Sequence, residues 1–158
     1  MRAVEPDRFR TVMGHFATGV AVVTVNTPSG PQGMTANAVA SLSLDPVLVL
    51  VCFDNGARTL PEVERAGRFG VNVLAAGQEE LARRFASKED TKFAAVPHSV
   101  HDGIPVIDGA HAWVGCDLER LVPGGDHTIG IGAVHAAELG AEGAEPLLWY
   151  RGGYTSLV

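Results

Sequence analysis

Apolar residues recur near the start of the chain at Phe9, Val12, Met13 and Phe16. That is the i, i+3, i+4, i+7 spacing of one helix face and predicts a helix over residues 6–17. Gly19 ends it. Val20-Ala-Val-Val-Thr-Val25 carries apolar residues on both faces and reads as a strand deep in the core. Residues 27–32 (Thr-Pro-Ser-Gly-Pro-Gln) have turn chemistry, and strands are expected at 33–39 and 47–53. Residues 58–66 and 78–85 read as helices on either side of a strand at 69–74. Residues 86–103 are polar without a clear period. Strand patterns then close the chain at 111–121, 128–138 and 147–150, the first two joined by Pro123-Gly-Gly-Asp126, a hairpin signal. The βα alternation stops after Phe85, which disfavours a parallel doubly wound sheet. The expectation is a mainly β (α+β) fold, an antiparallel barrel with short flanking helices.

Composition narrows the class. The 158 residues suit one domain, and with 46% hydrophobic and 19% charged residues the chain can bury enough apolar surface to offset its ordering entropy. A net charge of −6 argues against nucleic acid as partner, since phosphate binding needs a basic face. The densest apolar run, residues 46–53, is far too short for a membrane span. The first ten residues include Arg2, Glu5, Asp7, Arg8 and Arg10 and do not form a signal peptide, so a cytoplasmic location is expected. Cys52 and Cys116 sit in apolar runs without a CxxC partner, which favours buried free thiols over a disulfide or metal pair.

Most standard catalytic motifs are absent: no GxSxG elbow, phosphate-binding GxxxxGK[ST] loop or HExxH helix occurs. Gly130-Ile-Gly132 lies mid-strand and marks close approach of a backbone or a ligand. His98 and His101 offer two metal ligands at most, against simple solvent exposure. Two polar stretches stand out. In residues 33–43 (Gly-Met-Thr-Ala-Asn-Ala-Val-Ala-Ser-Leu-Ser), small residues and hydroxyls would let a planar ligand rest on the backbone; the alternative is a Ser/Thr-rich loop. Residues 54–59 lead into a helix, so Arg58 and Thr59 form either a phosphate seat or an ordinary helix cap.

Several segments in order resemble the flavin reductase domain family, the short NAD(P)H:flavin oxidoreductases that serve two-component flavin-dependent monooxygenases. They are Phe16-Ala-Thr-Gly-Val-Ala-Val-Val-Thr24, Gly33-Met-Thr-Ala-Asn37, Ser41-Leu-Ser-Leu-Asp-Pro46, Phe69-Gly-Val-Asn-Val-Leu74, Leu81-Ala-Arg-Arg-Phe85, Gly125-Asp-His-Thr-Ile129 and Pro146-Leu-Leu-Trp-Tyr-Arg-Gly-Gly-Tyr154. The resemblance implies one domain over 1–158, an FMN-binding split β-barrel, a homodimer with flavin near the subunit interface, and a monooxygenase partner. FMN or FAD would be bound, with NADH or NADPH as co-substrate. Thr35, Ala36 and Asn37 would line the isoalloxazine edge, Ser41 and Ser43 the ribityl–phosphate tail, Arg58 and Thr59 the phosphate, and Phe85 with Ala86 would lie near the flavin. His127 and Tyr154 would meet the nicotinamide; position alone equally allows His127 to cap its hairpin. Pro46-Val47 stands where the family often has Pro-Pro, and Ala57 where many members carry a phosphate-facing serine. No acid, base, nucleophile or metal is expected, because hydride transfer is the cofactors' own chemistry. The alternatives are a non-catalytic flavin carrier and an oxidase like pyridoxamine-phosphate oxidase on a similar barrel.

Overall fold

The computed structural model describes residues 2–157. In chain order its elements are α1 (Pro6–Met13), β1 (Thr18–Gly19), β2 (Ala21–Thr27), β3 (Gly30–Ala36), β4 (Val39–Leu44), β5 (Val47–Asp54), α2 (Thr59–Ala66), β6 (Arg68–Val73), α3 (Glu79–Ala86), β7 (His98–His101), β8 (Ile104–Ile107), β9 (Ala112–Gly124), β10 (His127–Leu139), β11 (Leu147–Tyr150) and β12 (Gly153–Ser156). Seven strands form one antiparallel sheet in the order β3-β2-β6-β9-β10-β5-β4. Its two edges, β3 and β4, are consecutive in the chain and joined only by Asn37 and Ala38. Three Cα–Cα steps of about 3.8 Å cannot span more than ~11 Å. The sheet must therefore curl until its edges nearly meet, although β3 and β4 do not pair.

Strand β2 shows why both of its faces are apolar. Val23 and Val25 point into one core with Val51, Phe53, Phe69 and Val71, to which α2 adds Val63. Val22, with Val20 just ahead of the strand, belongs to a second core with Leu74, Ala82, Phe85 and Leu147, between the sheet, α3 and β11. Gly130 and Gly132 make room for core side chains rather than for a ligand. A Cβ at Gly130 would lie 2.7 Å from the Phe53 ring, and one at Gly132 2.7 Å from Cys116 Sγ and 2.9 Å from Phe69. Cys116 is buried, its thiol pushed up to about 12 by desolvation and then by Asp117; Cys52 is half-buried, and neither forms a disulfide.

Several sequence expectations shift. The first helix stops at Met13, and none of its residues is buried: Phe9, Val12, Met13 and Phe16 all face outward. An amphipathic period reports only that a face is apolar, not what covers it. The strand expected at 33–39 begins at Gly30 and ends at Ala36, and the stretch 39–44 is a strand of its own rather than a polar loop. The segment 86–103 contains β7, too short to show a period. His98 and His101 lie three apart on that strand, so they point to opposite faces. His98 Nδ1 bonds the Val96 carbonyl oxygen, and the His101 ring packs at a tilt against Trp113, centroids 5.1 Å apart. No helix among the described residues is long and apolar enough to cross a membrane.

The segment Phe69-Gly-Val-Asn72 fastens β8 to the sheet. A Cβ at Gly70 would come within 2.6 Å of Ile104, so β8 lies directly over a residue without a side chain. Buried Asn72 donates to the Val22 carbonyl (3.1 Å) and Thr24 Oγ1 (3.2 Å), and its Oδ1 accepts from Ile107 N–H (2.9 Å). Thr24 Oγ1 in turn donates to the Pro105 carbonyl at 2.6 Å. Asn72→Ala leaves Ile107 N–H without a partner inside the protein. We expect a loss of about 2–4 kcal/mol, a melting temperature about 5–12 °C lower, read by differential scanning calorimetry.

Candidate functional site

Helix α3 docks on β3 through two small features of the segment Gly33-Met-Thr35. A Cβ at Gly33 would crowd both the Phe85 ring and the Val23 carbonyl at 3.1 Å, so glycine lets the ring lie against the strand. Two residues on, Thr35 Oγ1 donates to the Ala82 carbonyl at 2.6 Å, tying strand to helix. Phe85 is itself buried and meets Phe93 edge-on, with ring centroids 4.9 Å apart.

Across from α3, residues 54–59 are braced by the β9–β10 hairpin. Its two-residue turn, Gly125-Asp126, needs a positive φ, which Gly125 supplies at 65°. Asn55 N–H donates to the Asp126 carbonyl (3.0 Å), and Thr128 Oγ1 donates to Asn55 Oδ1 (2.6 Å). Asp54 Oδ1 accepts Gly56 N–H at 2.7 Å. Between this turn and α3 opens a cleft of about 550 Å³, lined by Thr35, Ala57, Arg58, Thr59, Ala86 and Lys92 among others. It continues past Asn37 to a wall formed by Trp149 and Tyr154, whose rings meet edge-on at 4.9 Å. The Arg83 guanidinium lies 5.0 Å from the centre of the Tyr154 ring. Burial pushes the Tyr154 phenol above its ordinary pKa, Arg83 opposing.

The charged end of the cleft centres on Lys92. Its Nζ donates to the Phe85 carbonyl (3.1 Å) and, more weakly, to that of Gly33 (3.4 Å). Burial, and then the neighbouring Arg58 guanidinium, push this ammonium below the ordinary lysine range, with Glu89 acting the other way. An anion beside Lys92 would offset both effects, because it favours the charged form. Arg58 itself is engaged: its guanidinium donates to the Asp90 carboxylate and to the Lys88 carbonyl. The groove as a whole fits an elongated anionic ligand, cationic at one end, floored by small residues in the middle and aromatic at the other.

The structure brings Thr35, Arg58, Thr59, Phe85 and Ala86 to one cleft, with Asn37 and Tyr154 on its continuation. Ala36 is buried and opens instead on a shallow depression with Thr18 and Asn37. Ser41 and Ser43 lie on the edge strand β4, outside the groove of this chain; Ser43 Oγ accepts Asp45 N–H at 3.2 Å. His127 lines neither this cleft nor its continuation at Tyr154. It begins β10 opposite Asp54 of β5, with Nδ1 2.7 Å from Asp126 Oδ1, a contact that holds the Asp126 carboxyl below the usual carboxylate range. The hairpin tip and the β11–β12 hairpin are separate parts of the sheet system, which residue spacing alone did not reveal. Lys92 and Trp149 were missed as site residues. A signal existed: the chain has only two lysines, Lys88 and Lys92, and both line this cleft.

Residues 13–158 match the family model described as a flavin reductase like domain. A flavin reductase of Pseudomonas putida is 42% identical over 154 residues, covering 96% of this chain and 90% of that protein. The reductase subunit HsaB of a flavin-dependent monooxygenase of Mycobacterium tuberculosis is 40% identical over 156 residues, covering 98% and 83%. Among solved structures, the Streptomyces globisporus NADH:FAD oxidoreductase SgcE6, in complex with NAD and FAD fragments, superposes with a TM-score of 0.91 at 39% identity, covering 100% of this chain and 98% of that one.

Thr35→Val keeps the shape of the side chain and removes the bond to Ala82. We expect about 1–2 kcal/mol of destabilisation, a melting temperature roughly 2–8 °C lower. Hydrogen exchange should quicken selectively in the amides of α3 while β9 and β10 stay protected.

Proposed function

The chain belongs to the flavin reductase like domain family, and from that premise we propose that the groove binds FMN or FAD, phosphate end at Lys92, for reduction by NADH or NADPH. The observation that carries the placement is the partly buried Lys92 ammonium facing a cleft whose middle, Thr35 and Ala86, is small and uncharged. When bound, the nicotinamide supplies the hydride at C4 and the flavin accepts it at N5, so the protein need provide no nucleophile or general base. The chain's own task is to hold two rings with their reacting atoms ~3–3.5 Å apart. Lys92 and Thr59 anchor the phosphate, and Thr35 and Asn37 orient the ring edge. Because Thr35 Oγ1 already donates to Ala82, it can offer the ring only an acceptor. Tyr154 and Trp149 bound the far side of the groove. His127, outside the groove of its own chain, is assigned to the nicotinamide substrate. The reduced flavin passes to a partner monooxygenase, a reading supported by the mycobacterial relative, which is named as the reductase subunit of a flavin-dependent monooxygenase.

We also propose a homodimer. Helix α1 buries none of its residues, and Phe16 is 70% and Leu44 88% exposed, with Leu42 and Val47 nearby on β4 and β5. Apolar residues gathered on an edge strand favour burial against a second copy. This puts Ser41 and Ser43, which lie on β4 outside the groove described above, beside that interface.

Two measurements follow. Under anaerobic conditions, NADH or NADPH added to the protein with FMN or FAD should bleach the flavin absorbance near ~450 nm, as expected for hydride transfer to the ring. Flavin binding without bleaching would identify a carrier instead. By light scattering at micromolar concentration the protein should weigh twice its chain mass, and Leu44→Glu should shift it toward monomer. A monomeric native protein would refute the dimer.

A further inference from the structure

The cation best placed to join Lys92 on a phosphate is already occupied by the protein's own carboxylate. Arg58 stands at the start of α2, and its guanidinium is held by Asp90 and by the Lys88 carbonyl, both on the segment that follows α3. Arg58, Asp90, Thr59 and Lys92 line one continuous recess. A carboxylate and a phosphate oxygen offer a guanidinium the same hydrogen-bonding geometry. They therefore compete for it, and where one sits the other is also repelled.

We propose that Asp90 is an internal competitor of the flavin phosphate for Arg58, setting how tightly phosphorylated flavins are held. This rests on the flavin site proposed above. The pair is weak enough to exchange: the Arg58 and Asp90 side chains are 59% and 83% exposed, so solvent screens their attraction. Among the described residues Lys92 is bonded to no carboxylate, although Glu89 lies in the same recess: its two protein partners are carbonyls, which leave one ammonium proton free for an incoming oxygen. The two cations thus divide the work. Lys92 holds the phosphate continuously, while Arg58 is shared between ligand and protein. For an enzyme that must release its product to another protein, a hold that its own carboxylate can loosen keeps release from limiting turnover.

The test compares FMN with riboflavin, which lacks the phosphate, by fluorescence titration of the full-length protein and of Asp90→Asn, Asp90→Glu and Lys92→Met, each with a melting curve. Asp90→Asn should tighten FMN about three- to tenfold, leave riboflavin within twofold, and slow FMN dissociation. Asp90→Glu should stay near the native values, and the gain in Asp90→Asn should shrink as salt is raised. Lys92→Met should weaken FMN by tenfold or more and spare riboflavin. If Lys92→Met behaves so but Asp90→Asn leaves FMN unchanged or weakens it, the competition is overturned while the site stands. If neither variant separates FMN from riboflavin, the phosphate does not bind here, and the proposal falls with the site.

Discussion

The connection between β3 and β4 constrains everything else in this protein. Two residues, Asn37 and Ala38, join strands at opposite edges of a seven-stranded sheet. A flat sheet would put those edges roughly six strand spacings, nearly 30 Å, apart; the chain allows ~11 Å. The curl that resolves this conflict wraps the sheet around Phe53, Phe69 and the valines of β2. It leaves β3 with one hydrogen-bonding edge not taken by another strand. Helix α3 comes to rest against β3, held by Gly33, Thr35 and Phe85, and the groove lies between that helix and the turn after β5.

Within the groove, charge is placed where the backbone already dictates it. The hairpin tip fixes the turn 54–59 through Asn55, and that turn sets Arg58 at the entrance of α2. From the opposite side, Lys92 reaches back to the carbonyls of Phe85 and Gly33. Two cations on separate elements thus face one recess in a chain whose net charge is −6. The Glu89 and Asp90 carboxylates line the same recess and Asp90 pairs with Arg58, so Lys92, bonded only to carbonyls among the described residues, is the cation left to attract an anionic ligand.

Much of this was legible in the sequence. Both apolar faces of residues 20–25, the hairpin at 123–126 and the strands around it carry strong local signals, and the structure reproduces them. Thr35, the adjacent Arg58 and Thr59, and Ala86 come from three separate parts of the chain and line one cleft. Other features have no local signature. The short strands β7 (His-Ser-Val-His) and β12 (Gly-Tyr-Thr-Ser) carry no apolar run like the Leu-Leu-Trp-Tyr of β11. The outward apolar face of α1 looks the same in sequence whether a core or another chain covers it. Lys92 lay in a polar segment, and its place in the site depends on the Phe85 carbonyl of α3 and the Gly33 carbonyl of β3 meeting beside it. The Arg58–Asp90 contact spans 32 residues and depends on the return of the chain after α3.

The most direct measurement of the central claim, that this groove is the flavin site, is a crystal structure of the protein with FMN bound. A phosphate oxygen should lie about 2.7–3.1 Å from Lys92 Nζ, with the isoalloxazine ring along Thr35, Asn37 and Ala86 toward Trp149. Density for the flavin elsewhere, or in this groove with its phosphate turned toward Tyr154, would contradict it.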